Sequence, residues 1–118
     1  MQSAKLERLR ARIEEIKQQI LALDLIVSGT LNRRTKVCGK PGCRCATDPE
    51  ARHGPYYEWG RIDGKRRTST TVSPEKGRRL QVALRNQRRL KTLMRRWERE
   101  SVRLLEAEIA ASREQGAR

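Results

Sequence analysis

All three cysteines and the only histidine of this 118-residue chain lie within sixteen residues of one another. Their spacing is C-x4-C-x-C-x7-H, and the four residues are Cys38, Cys43, Cys45 and His53. Thiolate and imidazole groups are the ligands that zinc prefers, and a Cys3His set is a known structural combination. In a reducing compartment, three cysteines this close together are more often metal ligands than members of a disulfide framework. The sequence therefore predicts a Zn2+ site formed by these four residues.

Alternatives to this site stay open, because the paired C-x2-C spacing of ordinary zinc fingers is absent. The thiols could be free structural cysteines, or the fourth ligand could come from Asp48, from Glu50 or from another subunit. A catalytic zinc is not expected, since no spare glutamate or histidine is placed as a general base. No carboxylate pair, activated nucleophile or phosphate-binding loop is visible. We therefore expect a protein that is not an enzyme, with no catalytic residues and no organic cofactor.

The charge of the chain indicates an acidic polymer as its partner. Lys and Arg number 28 against 14 Asp and Glu, which gives a net charge of +14. The excess is concentrated in residues 30–73, with ten basic and four acidic groups, and in residues 74–118, with thirteen and six. We expect nucleic acid as the partner, DNA more than RNA; the alternative is a basic protein that is merely soluble.

No run of about 18 apolar residues and no signal-peptide block is present in the sequence. We therefore expect no membrane association and a cytoplasmic location, either the bacterial cytosol and nucleoid or, if a phage encodes the protein, the host cytosol. With 36% hydrophobic residues and no Phe, the chain cannot bury a large central core. Its fold must depend on helix pairing, a metal or oligomerisation.

Residues 1–29 carry a heptad pattern typical of a coiled-coil helix. Apolar residues recur at alternating spacings of three and four, at Leu6, Leu9, Ile13, Ile16, Ile20, Leu23 and Val27. Ser28-Gly29 then supplies a helix stop. We expect this seam to form a homodimer; the alternative is that the helix packs only within its own chain.

Residues 74–118 are predicted to form a long amphipathic helix. Ser73-Pro74-Glu75 has the residue types of an N-cap, a first helical position and an acidic first turn. At about 100° per residue, apolar side chains and arginines occupy opposite arcs. The arginines expected to neutralise phosphates are Arg85, Arg88, Arg89, Arg96 and Arg99. The alternative is an ordinary solvated face.

Within residues 30–73, Asp63-Gly64 is a favoured dipeptide for a two-residue hairpin turn. Pairing across that turn would place three residues of the first strand on the same face as three of the second, Tyr57, Trp59, Arg61, Thr70, Thr68 and Arg66. We expect phosphate contacts from Arg61, Lys65, Arg66 and Arg67. Tyr57 and Trp59 are candidates for base stacking, which would favour RNA; the alternative is that the aromatic residues form a small core over the metal loop.

Three strings of residues 28–75 resemble a family of short, functionally uncharacterised bacterial proteins: CGKPGCRC from Cys38, HGPYY from His53 and Gly64-Lys65. That family is associated with phages, plasmids and transposon-rich regions. The resemblance implies a small accessory protein of a mobile element that associates with DNA, and it implies no catalytic residues.

Together these observations predict a mainly α fold in three parts. A coiled-coil helix (1–29) and a basic helix (74–118) would form an antiparallel helical hairpin, whose tip (30–73) would be a zinc-stabilised loop and a β-hairpin. The function we expect is DNA binding through backbone contacts. An RNA-binding protein is the alternative within the same class, and an adaptor that recruits a protein such as a recombinase is the alternative from another.

Overall fold

The computed structural model describes residues 2–116. Two helices flank three strands in the order α1 (Gln2–Leu21), β1 (Thr30–Lys36), β2 (His53–Asp63), β3 (Arg66–Val72) and α2 (Pro74–Gly116). The strands form one antiparallel sheet in the order β1-β2-β3. The fold is therefore α+β, and the prediction of a mainly α helical hairpin with a coiled coil is wrong. A two-stranded hairpin was expected where a three-stranded sheet is present.

The first helix is shorter than the heptad pattern predicted: it ends at Leu21 and not at residue 29. The segment that follows bonds to α2 instead of continuing the helix. The Val27 N–H donates to the Ala83 carbonyl at 3.2 Å, and Asn86 Nδ2 donates to the Leu25 carbonyl at 2.9 Å. The last two heptad positions consequently lie outside α1.

The second helix begins at Pro74, where the Ser73-Pro74-Glu75 sequence predicted it. Ser73 caps the helix, since its hydroxyl oxygen accepts a hydrogen bond from the Lys76 N–H at 3.2 Å. Although α2 has 43 residues, no helix within residues 2–116 combines the length and the apolar character that a membrane span requires.

The chain divides into two compact units. One contains the residues up to Asp24 together with those from Arg88, and the other is Leu25–Gln87. One core cluster of the first unit contains Leu9, Ile13 and Leu104, with Leu6, Trp97 and Ala107 packed against it. Ile16 and Leu93 of the same unit are also buried.

Polar contacts join α1 to α2 within the first unit. Arg10 lies 3.7 Å from Glu108, and Arg89 donates to Gln19 at 2.7 Å. Leu9, Ile13 and Ile16 of the heptad seam are buried to 5% exposure or less within the chain itself.

The core of the second unit lies between the sheet and the first turns of α2. Its buried apolar residues include Val72, Leu80, Ala83 and Leu84. The ring of Tyr57, which pairs with Val72 across the sheet, lies against Gly77 of α2. Residues directly opposite on antiparallel strands share a face, so this row identifies the inner face of the sheet.

The β2–β3 hairpin has a register different from the predicted one. Asp63 pairs with Arg66, so the two loop residues are Gly64 and Lys65, whereas Asp63 and Gly64 were expected there. Trp59 consequently pairs with Thr70 and not with Thr68. Because the side-chain period of a strand is two, this shift of two residues leaves every side chain on its predicted face.

The strand β1 was not predicted. It pairs antiparallel with β2 from Thr30 opposite Gly60 to Lys36 opposite His53, with an irregularity between Arg34 and Lys36. Its sequence, TLNRRTK, contains one apolar residue, so no alternation of apolar and polar residues indicated a strand. The extended conformation of β1 is therefore stabilised by its pairing with β2 and not by a pattern in its own sequence.

Candidate metal centre

The four predicted ligands lie together in the second unit. The sulfur atoms of Cys38, Cys43 and Cys45 and a ring nitrogen of His53 are all within 4.8 Å of one another. The Cys38 and Cys45 sulfurs are 3.5 Å apart, and Cys43 Sγ is 3.4 Å from His53 Nε2. With zinc–sulfur bonds of about 2.3 Å, tetrahedral geometry separates two sulfurs by roughly 3.8 Å. The prediction that these residues come together is confirmed, and they could hold a metal ion.

The pairing of β1 with β2 brings the two ends of the site together. Lys36, the last residue of β1, is opposite His53, the first residue of β2. Cys38 follows Lys36 by two residues, so it emerges beside the histidine. The strand that the sequence did not reveal is therefore the element that positions the first ligand against the last.

A tight turn and a short helix position the two middle ligands. The Cys43 N–H donates to the Lys40 carbonyl at 3.3 Å, with Pro41 and Gly42 between them. Gly42 has a φ of 78°, and proline followed by a residue with positive φ is the signature of a type II turn. Cys45 lies in the 3-10 helix Arg44–Ala46 that follows immediately.

The environments of two thiols differ. The backbone N–H of Cys45 stabilises the Cys43 thiolate, and the side chains of Cys45 and Cys38 add to this, so the pKa of Cys43 is lowered. For Cys45, the backbone N–H of Cys38, 3.3 Å from its sulfur, favours the thiolate. Burial and the neighbouring Cys43 and Cys38 oppose this, and the pKa of Cys45 is raised overall. A bound cation would favour the thiolate at every position.

Asp48, one of the alternative ligands, already has partners. Its carboxylate accepts hydrogen bonds from the backbone N–H of Glu50 at 3.0 Å and from Arg44 at 3.2 Å. It thereby caps the second 3-10 helix, Pro49–Ala51. Glu50 itself is exposed. Within the described residues, the cluster of potential metal ligands contains Cys38, Cys43, Cys45 and His53 and neither acid.

The residues expected to contact nucleic acid at the hairpin have different environments. Lys65, Arg66 and Arg67 are exposed, whereas Arg61 is half-buried and its guanidinium lies 4.0 Å from the centre of the Trp59 ring.

The aromatic residues are engaged within the chain. Trp59 is half-buried, and its indole N–H donates to the Ser28 carbonyl at 3.1 Å. Tyr57 is also half-buried and lies against Gly77. Their role in base stacking stays a prediction.

The arginines predicted to form the basic face of α2 are all exposed: Arg85, Arg88, Arg89, Arg96 and Arg99. Between residues 3 and 116, none of them lies within 4.0 Å of a carboxylate oxygen. Arg85 belongs to the second unit and the other four to the first. Their binding of nucleic acid likewise stays a prediction.

One polar surface was missed by the sequence reasoning. We call it the outward face, meaning the side of the sheet opposite the Tyr57 row. Its polar and charged members include Thr30, Asn32, Arg34, Glu58, Arg67, Ser69 and Thr71. A groove of about 470 Å³ crosses it. The signal that could have revealed it is the threonine, asparagine and arginine content of residues 30–34 immediately before the cysteine cluster.

No curated protein and no solved structure matches the chain. A family model described as "Domain of unknown function (DUF6788)" matches residues 6–82. The match includes the four clustered ligands, all three strands and the start of α2. Because it covers well over half of the chain, the protein belongs to the DUF6788 family.

Proposed function

We propose that this protein is a non-enzymatic DNA-binding protein in which a structural Zn2+ ion orders the segment between β1 and β2. The observation that carries the proposal of DNA binding is the row of exposed arginines on α2, which have no carboxylate oxygen within 4.0 Å among residues 3–116. A net charge of +14 supports it.

The ligand set supports zinc as the metal. Three thiolates and one imidazole are soft or intermediate donors, and tetrahedral sulfur and nitrogen sets are typical of zinc. Because four protein ligands complete a tetrahedral shell, no coordination position stays open for a substrate or a water molecule. The ion would then have a structural role, which agrees with a protein that is not an enzyme.

The basic face of α2 supports contact with phosphates. A guanidinium can donate two parallel hydrogen bonds to phosphate oxygens. Neighbouring arginines on one face repel one another in the free protein, and a polyanion would relieve this repulsion. Binding of this kind releases counterions from DNA and is therefore strongly dependent on salt.

Two observations favour duplex DNA over single-stranded RNA. Proteins that bind unpaired bases stack them on accessible aromatic rings. Here Tyr57 packs on α2, and one face of the Trp59 ring is covered by Arg61. The aromatic platform that RNA would need is largely occupied by the chain itself.

A salt titration tests the proposal. Binding of a fluorescently labelled 20-base-pair duplex is measured between 50 and 200 mM NaCl, with a single-stranded RNA of equal length as competitor. If six to ten basic residues contact phosphates, affinity falls by about 10³- to 10⁵-fold over that range. A binding constant that does not change with salt contradicts the proposal, and stronger binding of the RNA favours the alternative partner.

We place this protein in the cytoplasm as an accessory factor of a mobile element or phage. Support for the mobile element comes from the resemblance of the CGKPGCRC and HGPYY strings. Support for the compartment comes from three unpaired cysteines, which would stay available as metal ligands in a reducing environment.

An adaptor that binds another protein, such as a recombinase, is the second candidate. The observation that favours it is an exposed apolar stripe on α2, formed by Met94, Val102, Leu105 and Ile109. The homodimer expected through the heptad seam stays a prediction. Because Leu9, Ile13 and Ile16 of that seam are buried within the chain, the exposed stripe on α2 is a second surface that could support self-association. Charge reversal at Arg85, Arg88 and Arg89 that leaves nucleic-acid binding intact would favour the adaptor.

A further inference from the structure

The outward face of the sheet has a depression at its centre. Gly60 occupies the middle strand there, between Thr30 on β1 and Ser69 on β3. Gly60 has no side chain, and the Thr30 hydroxyl takes part of the room this leaves, since it would be 3.0 Å from a Cβ atom added there. Thr30, Gly60 and Ser69 all line the groove of about 470 Å³. The next row along the sheet holds Asn32 and Thr71. The groove is thus bordered by short hydrogen-bonding side chains.

One acid lies on this face, and its charge is offset. Glu58 stands between Asn32 and Thr71 on the central strand, and its carboxylate is 3.5 Å from Arg34. The Glu58 side chain is 22% exposed, whereas that of Arg34 is 59% exposed. Arg67 adds a second, exposed guanidinium on the same face. The face therefore carries a net positive charge.

The side chains of this face are those that contact base edges in duplex DNA. Asparagine pairs with adenine, arginine with guanine, and serine or threonine with several bases. Tyr56 is the aromatic residue of this face, and the Lys36 ammonium lies over its ring at 5.3 Å. A surface of amide, hydroxyl and guanidinium groups suits the edges of paired bases better than the faces of unpaired ones.

The dimensions of the sheet and the charges at its ends also suit a duplex. Three strands span about 10 Å between the outer backbones, and the major groove is about 12 Å wide. Lys65 and Arg66 are exposed at the hairpin end, and Lys36 is exposed at the other end, where it pairs with His53. Cations at both ends would lie toward the phosphates that border the groove.

We infer that the outward face of the sheet contacts base edges in the major groove of duplex DNA and confers sequence preference. This inference rests on the proposed function and adds to it a second surface with a different task. The arginines of α2 would supply affinity that does not depend on sequence, and Asn32, Arg67 and Ser69 would supply discrimination between sequences.

The test is a selection of binding sites from a random duplex library with the metal-loaded, full-length protein, followed by affinity measurements at one fixed salt concentration. The variants are Asn32→Ala and Ser69→Ala. The matched control is Thr70→Ala, which removes a hydroxyl from an exposed residue of the same strand on the opposite face. Thermal unfolding checks that each variant is folded.

We expect the wild-type protein to enrich a sequence and to bind it at least tenfold more tightly than a scrambled duplex. Asn32→Ala should weaken binding to the selected duplex by about 5- to 150-fold, which is the range for one bidentate contact. Its binding to the scrambled duplex should not change. Thr70→Ala should behave like the wild-type protein.

Several results would overturn the inference. Salt-dependent binding of duplexes without enrichment of any sequence rejects the role of the outward face and leaves the proposed function standing. Equal loss of discrimination in Thr70→Ala and Asn32→Ala also rejects it. Preference for single-stranded RNA, or the absence of salt-dependent binding to any nucleic acid, rejects both the inference and the proposed function.

Discussion

The ring of Tyr57 lies directly against Gly77: a Cβ atom added to this glycine would be 2.7 Å from Tyr57 Cγ and 2.8 Å from Cδ2. No side chain larger than hydrogen fits there without movement of the Tyr57 side chain, the helix or the sheet. The absence of a side chain at Gly77 therefore permits the close approach of α2 to β2.

Replacing Gly77 with alanine should destabilise the protein, although alanine is the better helix former. The gain in helix propensity is about 1 kcal/mol, and the cost of forcing Tyr57 aside is at the upper end of the 1–3 kcal/mol typical of overpacking. We expect a net loss of about 1–2 kcal/mol, measured by urea unfolding of the metal-loaded protein. Gly116→Ala is the control, since a Cβ there meets nothing within 4 Å. Equal stability of Gly77→Ala and wild type would show that the ring does not rest on the helix.

The metal content should be one zinc ion per chain. Native mass spectrometry and elemental analysis measure it directly, and Cys43→Ser should lower it because the variant lacks one of four ligands. Asp48→Asn is the matched control, because it changes an acid beside the site that caps a helix and is not one of the clustered ligands. Loss of metal from Asp48→Asn, or full folding of residues 36–53 without any metal, contradicts the assignment.

Removing arginines from the basic face of α2 should weaken DNA binding more than removing the same number of positive charges elsewhere in the chain. Each phosphate contact contributes about 0.9 to the slope of log K against log salt, so Arg96→Gln with Arg99→Gln should reduce the slope by roughly 1.8. The control pair is Lys5→Gln with Arg8→Gln, which removes the same charge from exposed positions of α1. If both pairs reduce the slope equally, the basic face of α2 has no special role.

The side chain of Asn86 should stabilise the position of the segment between α1 and β1 against α2. This side chain holds the Leu25 carbonyl, two residues before the Val27 amide that bonds to Ala83. Loss of a hydrogen bond of about 1 kcal/mol should raise hydrogen exchange at Val27 by about 5-fold in Asn86→Ala. Gln87→Ala provides the control at the neighbouring position. Unchanged exchange at Val27 would mean that the segment is held by other contacts.

The metal cluster and the start of α2 could be predicted because their signals are local. Cys43 is brought back toward Cys38 by a turn whose Pro41 and Gly42 are visible in the sequence. Ser73 caps α2 through a hydrogen bond to a residue three positions away. In such cases the residue types and their spacing contain most of the geometry.

The end of α1 and the strand β1 could not be predicted, because contacts distant in sequence determine them. Val27 continues the heptad spacing, yet its amide bonds to Ala83, 56 residues later in the sequence. Leu31 is the one apolar residue in β1, and this strand owes its order to pairing with β2. The hairpin register was predicted in part. Asp63-Gly64 located the turn to within one residue. Because side chains alternate with a period of two, the error in register left each side chain on its predicted face of the sheet.

The ligands of the metal centre also divide the connection between β1 and β2 into short pieces. Cys38 and His53 stand at its two ends, and Cys43 and Cys45 lie inside it. Without an ion, residues 37–52 form one long connection whose two ends are held together by the pairing of β1 with β2. With an ion, no piece is longer than the seven residues between Cys45 and His53, so much of the conformational entropy of the connection is removed. The susceptibility of this connection to proteases should consequently report the metal supply of the cell in which the protein is made.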